Sequence, residues 1–271
     1  MIPDPEHVAQ LIRDVAATEV LPRFRNLAAH EISEKSPGDI VTVADECAER
    51  ALEKGLATIL PNASIVGEES AAKDPETLRM LDSEDAVWII DPVDGTQNFA
   101  NSKDCFAMIV ALTVGGETQA GWIYEPVAGR MVWAIKGQGA WESGHRLSLP
   151  APPPINQWRG SLNKRTRERL HSTHGPDSHK IPAEMIRYRC VGVEYADLAR
   201  GRLHFAQYGG RLKPWDHAAG ILIFSEAGGF SALIDRGQPY LAKGDMTSQT
   251  LLMAPSKEHW HYLQRLFKAP E

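Results

Sequence analysis

Between residues 5 and 21 apolar side chains recur at three- and four-residue intervals, as Val8, Leu11, Ile12, Val15, Ala16 and Leu21, behind an acidic start. That spacing places them on one face and predicts an amphipathic helix from Pro5 to Leu21, ended by Pro22. The same pattern predicts a second helix opening at Asp45, burying Ala48, Leu52, Leu56 and Ile59 and stopping before Pro61. Runs rich in β-branched and aromatic residues follow at Ser64 to Val66, Val87 to Ile90, Phe106 to Val114, Gln119 to Tyr124 and Met131 to Ile135, with Gly115-Gly116 as a hairpin turn. Together they predict a mainly antiparallel sheet. Gly137-Gln138-Gly139-Ala140 has the look of a nucleotide-binding loop, but no helix follows it and it reads as a turn.

The stretch Leu149-Pro150-Ala151-Pro152-Pro153-Pro154 can join neither a ladder nor a helix interior, so it is the expected division between a half covering residues 1–148 and one covering 149–271. Beyond it the pattern predicts a helix from Val193 to Arg200, a strand from Leu203 to Gln207, a helix opening at Asp216 and closing before Gly228-Gly229, a strand from Leu251 to Ala254, and a terminal helix after Pro255. Strands and helices alternate irregularly, which favours a layered α/β sandwich over a doubly wound parallel sheet.

Composition narrows the class. Hydrophobic residues at 43% and charged residues at 24% are ordinary globular usage. A net charge of -6 gives no general attraction for nucleic acid or anionic lipid, so an anionic substrate needs a local cation. Cys47, Cys105 and Cys190 are scattered without metal-ligand spacing, which argues against a disulfide framework or structural zinc and fits a reducing cytoplasm. No secretory leader or membrane span is expected from the acidic start and short apolar runs.

The buried run Val87-Trp88-Ile89-Ile90 ends in Asp91-Pro92-Val93-Asp94-Gly95-Thr96, placing two carboxylates three residues apart at a strand exit. A second strand delivers Gly67-Glu68-Glu69-Ser70, and Asp216 stands before the apolar stretch Ala218 to Phe224. Each has an ordinary reading, as an Asp-rich turn, a solvated loop or a helix cap. Convergent on one cavity, they make a hard-oxygen metal site suited to magnesium or manganese rather than zinc.

The chain resembles the inositol monophosphatase family, the lithium-sensitive, magnesium-dependent small-molecule phosphatases. The resemblance rests on Asp39-Ile40-Val41-Thr42-Val43-Ala44-Asp45, Gly67-Glu68-Glu69-Ser70, Trp88-Ile89-Ile90-Asp91-Pro92-Val93-Asp94-Gly95-Thr96-Gln97-Asn98-Phe99 and Pro214-Trp215-Asp216-His217-Ala218-Ala219-Gly220, four motifs in the family's order. It implies an αβαβα sandwich of the sugar-phosphatase type and a homodimer acting on a small phosphorylated metabolite, a polyol or sugar-like phosphate, through a metal-activated water. Glu68, Asp91 and the Val93 carbonyl would hold one Mg2+ and Asp91, Asp94 and Asp216 a second, with Asp91 bridging; a third, weaker site beside Glu68 and replacement by Mn2+ also follow from the resemblance. Asp45, Thr96 and Glu68 are the implied catalytic residues. Asp94, Gly95, Thr96, Arg189 and Asp216 are the implied substrate-binding residues, with Lys35 and Thr42 as further candidates near the phosphate. His217 is expected to pack beside the metal ligands rather than join them, and Trp88, Trp122, Trp133 and Trp215 to form core or pocket walls.

Inositol-specific members carry a glutamate shortly before the Trp-Asp pair, where this chain reads Gln207-Tyr208-Gly209-Gly210-Arg211. The small-residue segment lining the inositol pocket corresponds to Arg189-Cys190-Val191-Gly192. Metal chemistry is thereby kept while specificity is expected to broaden or shift, with Arg189 and Arg211 placed to enlarge the positive field for a second anionic group. Histidinol-phosphatase and fructose-1,6-bisphosphatase activities are alternatives on the same scaffold. A non-catalytic regulatory or RNA-associated role is the alternative of a different class, although nucleic acid is not the default partner.

Overall fold

The computed structural model describes residues 2–175, 178–246 and 248–268. The Asp4 carboxylate accepts the Glu6 amide at the start of α1 (Pro5–Val15), and the chain then winds as a π turn over Ala16–Val20. A hairpin absent from the sequence reading follows, formed by β1 (Ile32–Ser36) and β2 (Asp39–Thr42). Helix α2 (Val43–Ile59) opens two residues before the expected Asp45, because Thr42 is its cap. Asp45 sits one turn inside, where it accepts the Thr42 amide and hydroxyl and closes a capping box.

The larger sheet takes its strands from β3 (Ser64–Gly67) onward. A short helix, α3 (Glu68–Lys73), leads to β4 (Ala86–Asp94), and α4 (Thr96–Ala100) leads to β5 (Ala107–Val114). Then come β6 (Glu117–Glu125), β7 (Arg130–Ile135), β8 (Gly139–Glu142) and β9 (His145–Leu147). Spatial order follows chain order, and the pair of β3 with β4 is the parallel one, so the expectation of a mainly antiparallel sheet holds. Gly115 and Gly116 turn the β5–β6 hairpin with φ of 59° and 79°, as the left-handed positions of a two-residue turn require.

The smaller sheet and its helices comprise β10 (Arg159–Ser161), α5 (Lys164–His174), β11 (Glu184–Ile186), α6 (Val191–Ala199), β12 (Phe205–Arg211), α7 (Pro214–Glu226), β13 (Phe230–Leu233), β14 (Ser248–Ala254) and α8 (Lys257–Phe267). Its order is β11-β10-β12-β14-β13, parallel across the first three strands and antiparallel across the rest.

Strand alternation explains the stacking. On β4, Trp88 and Ile90 face Val8, Ile12, Leu52 and Leu56 of α1 and α2, while Val87 and Ile89 face Tyr195, Ala218 and Ile223 of α6 and α7. A strand covered on both sides reads as a continuous apolar run, which is how Val87 to Ile90 reads. The middle helices also pack on Ala206, Leu251 and Met253 of the smaller sheet, whose far face carries Phe205 and Leu252 against Leu170, Trp260 and Leu263 of α5 and α8. The layers are therefore αβαβα, as predicted. Close approach of α6 to α7 depends on Gly220, where a Cβ would stand 2.1 Å from the Tyr195 ring.

Candidate active site

The exit of β4 is irregular in a way its sequence dictates. Pro92 has no amide to give the ladder, and the register with β5 slips between Asp91 and Asp94. Gly95 then turns the chain with φ of 87° and caps α4. A side chain there would press on the Cys190 Cβ and on the carbonyls of Cys105 and Arg189. The turn brings Thr96 Oγ1 to 3.0 Å from the Val93 carbonyl and 3.2 Å from Asp45 Oδ1. Burial raises the Asp45 carboxyl to about 7 against the pull of the Thr42 hydrogen bonds. Thr42 is thus committed to Asp45 rather than free for an anion.

Glu68 opens α3 directly behind β3. The Glu49 carboxylate of α2 accepts the amides of Glu69 and Ser70 at 2.8 and 2.7 Å, fixing the start of this short helix. Gly67 is required because a Cβ would lie 2.2 Å from Glu49 Cδ. Lys35, on the tip of β1, donates to Glu68 Oε1 and Glu69 Oε1, both at 3.0 Å, and Lys213 reaches Glu68 Oε1 at 3.3 Å. Burial works to lower the Lys35 ammonium, but Glu68 and Glu69 outweigh it and hold it above its ordinary range. Burial also lifts Glu69 to about 7, although Lys35 opposes this.

Asp91 and Asp94 are buried, and Asp216 is half-buried one turn inside α7, which starts at Pro214 rather than at Asp216. Burial pushes the Asp91 carboxyl well above the usual range, and Glu68, Asp94, Asp216 and Asp45 add their repulsion in that order. Asp216 is raised in the same way by burial, Glu68 and Asp94, with Lys213 and Lys35 opposing. Asp94 is raised by burial, while Cys190 Sγ at 3.0 Å and the Gly192 amide at 2.5 Å donate to its Oδ2 and pull it back. The structure thus gathers Asp45, Glu68, Asp91, Asp94, Thr96 and Asp216 into one electrostatic neighbourhood.

Among the described residues no group of three or more His, Cys, Asp or Glu side chains stands close enough together to hold a metal ion as placed. The donor chemistry nevertheless fits a hard divalent cation. Asp91 Oδ1 is buried without a hydrogen-bond partner, the surrounding donors are carboxylate and carbonyl oxygens, and mutual repulsion lifts the carboxyls toward protonation, a cost that a cation would remove. Lys35 and Lys213 both pair with Glu68.

Two cavities open over these acids. One of about 330 Å³ is bordered by Asn163, Arg187, Gln207, Arg211 and Asp216, and one of about 540 Å³ by Asp39, Asp94, Gln97, Arg189 and Lys213; both touch Arg187, Val191 and Tyr208. Arg189 has a φ of 58°, a left-handed conformation rare for a residue with a Cβ. The buried Asn98 amide stabilises that bend by donating to the carbonyls of Cys105, Tyr188 and Arg189 at 2.8, 3.0 and 3.4 Å. His217 is buried with Nδ1 2.9 Å from the Tyr195 hydroxyl, and burial lowers it to about 3, so it packs as a neutral ring. Trp88 and Trp122 lie in the core, while Trp215 lies under the Lys213 ammonium at 5.6 Å.

A model of the inositol monophosphatase family matches residues 5–269. The chain belongs to this family. As a member it is 30% identical over 236 residues to the Nus factor SuhB of Escherichia coli, with 81% of each chain covered. It is 32% identical over 223 residues to an inositol-1-monophosphatase of Mesorhizobium japonicum, covering 80% of this chain and 81% of the relative. The IMPase of Thermotoga maritima superposes with a TM-score of 0.78 at 23% identity, over 96% of this chain and 95% of that one, which shows the shared fold. Metal dependence is a general property of the inositol monophosphatase family.

Sequence reasoning missed Lys213, Glu49 and Asn98, and it singled out Lys35 without its bonds to Glu68 and Glu69. Lys213 adjoins the Pro214-Trp215-Asp216 motif, and Asn98 lies inside a quoted motif, so a signal existed for both. Glu49 gave none, since a glutamate inside a helix ordinarily reads as solvated.

Proposed function

We propose that this family member is a magnesium-dependent phosphomonoesterase of small polyol or sugar-like phosphates, with Glu68, Asp91, Asp94, Asp216 and the Val93 carbonyl holding the cations. The observation that carries this reading is Asp91: a buried carboxylate with one oxygen unpartnered and four acidic neighbours raising it. Mn2+ fits the same hard donors.

When bound, divalent cations would supply Lewis-acid chemistry, acidifying water and neutralising the ester phosphate and the leaving oxygen. The protein's own part follows from its hydrogen bonds. Thr96, tied to Asp45 and the Val93 carbonyl, orients the attacking water, and the Asp45 carboxylate takes up its proton through that hydroxyl. The backbone at Gly95 and Thr96 cradles phosphate oxygens, since the glycine leaves the approach open. Residues 1–148 would then act as the half bearing most ligands, and residues 149–271 as the half contributing Asp216 and the cavity arginines. We also place the protein in the cytoplasm as a homodimer, a reading supported by its reduced cysteines and the family resemblance; no described helix is long and apolar enough to cross a membrane.

Phosphate release from a panel of phosphomonoesters tests this reading. Activity should require Mg2+ or Mn2+, vanish with a chelator and fall with Li+. A chelator-resistant rate would overturn it. The name Nus factor borne by one relative keeps a regulatory role as a second reading. Under that reading a variant without phosphatase activity would retain full cellular function.

A further inference from the structure

We propose that the side of the smaller cavity formed by Arg187, Arg211 and the amide of Gln207 binds a second anionic group of the substrate, so that the preferred ester carries a carboxylate or another phosphate besides the phosphate removed. The proposal rests on the phosphatase reading and concerns what that site selects.

Arg187 leaves β11 and Arg211 ends β12, so two different segments deliver guanidinium groups to one cavity whose opposite wall includes Asp216. Neither guanidinium makes an ion pair or hydrogen bond among the described residues. Other arginines of this half differ: Arg159 pairs with Glu184 at 3.0 Å, and Arg200 is held by Glu125, Glu142 and Asp197. Both arginines are exposed and neither is bonded to an acid among the described residues, so their donors stand open to a bound anion.

The neighbouring backbone adds to the positive field. The eleven-residue helix α5 begins at this cavity, with Asn163 as its cap, and a helix start presents partial positive charge. Asn163 Oδ1 is taken by the Thr166 amide, and its Nδ2 donates to Gln207 Oε1 at 3.2 Å. That bond orients Gln207 with its own NH2 left to donate. No acidic side chain stands in the stretch 207–211, where the family's hydroxyl-reading glutamate is expected, and Gly209 and Gly210 leave the approach clear. The space therefore has an acidic pole at Asp216 and a basic pole whose two arginines are paired with no acid among the described residues. Arg189, singled out from sequence with Arg211, borders the other cavity, and Arg187 takes its place as the partner.

Matched esters test the idea: glycerol 3-phosphate against 3-phosphoglycerate for a carboxylate, and fructose 1-phosphate against fructose 1,6-bisphosphate for a phosphate. With saturating Mg2+, the bis-anionic member of at least one pair should be hydrolysed with about tenfold higher kcat/KM, mainly through KM. That ratio should fall toward one in the Arg187→Ala/Arg211→Ala double variant and recover in part in Arg211→Lys. Equal efficiencies in both pairs, or a ratio that survives the double variant, would overturn the proposal. Calorimetry with 3-phosphoglycerate and fructose 1,6-bisphosphate supplies a readout that needs no turnover. Binding by the wild type and its loss in the double variant would support the anion site even if no ester were hydrolysed, an outcome that would sink the phosphatase reading alone. Absence of binding to either compound, alongside hydrolysis of the mono-anionic esters, would sink the anion site alone.

Discussion

Thr96 Oγ1 stands 3.2 Å from Asp45 Oδ1 and 3.0 Å from the Val93 carbonyl, so one hydroxyl joins the first turn of α2 to the exit of β4. Gly95 is the cap of α4 and Thr96 its first residue, so the Thr96 hydroxyl is turned to these acceptors rather than used as a helix cap. Thr96→Ala should lower kcat by about 10²–10⁴-fold, the range for a positioned proton-transfer group, with a smaller change in KM. Thr96→Ser, which keeps the hydroxyl, should retain most of the rate. Steady-state kinetics of the two variants decides the point, and equal losses in both would remove the hydroxyl from the mechanism.

Asp45 also sets a pH dependence of stability. Its folded value of about 7 lies above the ordinary 3.8, so folding favours the protonated carboxyl. For the metal-free protein this contribution is fully present below about pH 4 and is lost as pH rises through about 7, a change of at most about 4 kcal/mol. Asp45→Asn should flatten that part of the curve, because an amide oxygen still accepts from Thr42 while its NH2 donates to Thr96. Denaturant titrations of both proteins between pH 4 and 8 in a chelator measure it. A wild-type curve that rises with pH across this window would contradict the assignment.

Divalent cations should act in the opposite sense. Asp91, Asp94 and Asp216 are raised by burial and mutual repulsion and must shed protons before they bind a metal. Thermal stabilisation by Mg2+ should therefore grow from pH 6 to pH 8. At a concentration one hundred times Kd it should reach about 2.7 kcal/mol per site. A Tm shift independent of pH would show that the carboxylates are already ionised without metal.

Gly192 tests the placement of Asp94. A Cβ at residue 192 would come to 3.0 Å from Asp94 Oδ2 and from the Ala107 Cβ. Gly192→Ala should move the carboxylate it now holds through its amide, costing about 1–3 kcal/mol of stability and reducing the affinity for Mg2+. Unchanged Mg2+ affinity, measured by calorimetry, would show that Asp94 does not bind the cation.

Much of this arrangement was legible because its apolar and acidic signals coincide. The run Val87 to Ile90 is apolar on both faces and emerges into Asp91 and Asp94, so strand, burial and charge all point to one place. The β1–β2 hairpin was not legible: Ile32-Ser33-Glu34-Lys35-Ser36 lies largely at the surface and lacks the alternation that marks a half-buried strand. Its value to the fold is that it carries Lys35 to Glu68 and Glu69, which only the tertiary structure reveals. Glu49 was hidden for a related reason, since it shares a helix with the solvent-accessible Glu46 and Glu53 yet turns inward to hold α3. Asp45 and Asp216 were expected at helix starts, whereas each lies one turn inside. The caps that set those starts, Thr42 and Lys213, carry weaker or no side-chain signals.

Asp91→Asn, assayed for phosphate release and Mg2+ binding beside the wild type, tests the central claim most directly. The change keeps the size of the side chain and removes the most crowded buried charge, so the metal-free variant should be at least as stable as the wild type. It should also lose high-affinity Mg2+ binding and turnover together. A folded Asp91→Asn protein that hydrolyses phosphomonoesters at the wild-type rate would contradict the account.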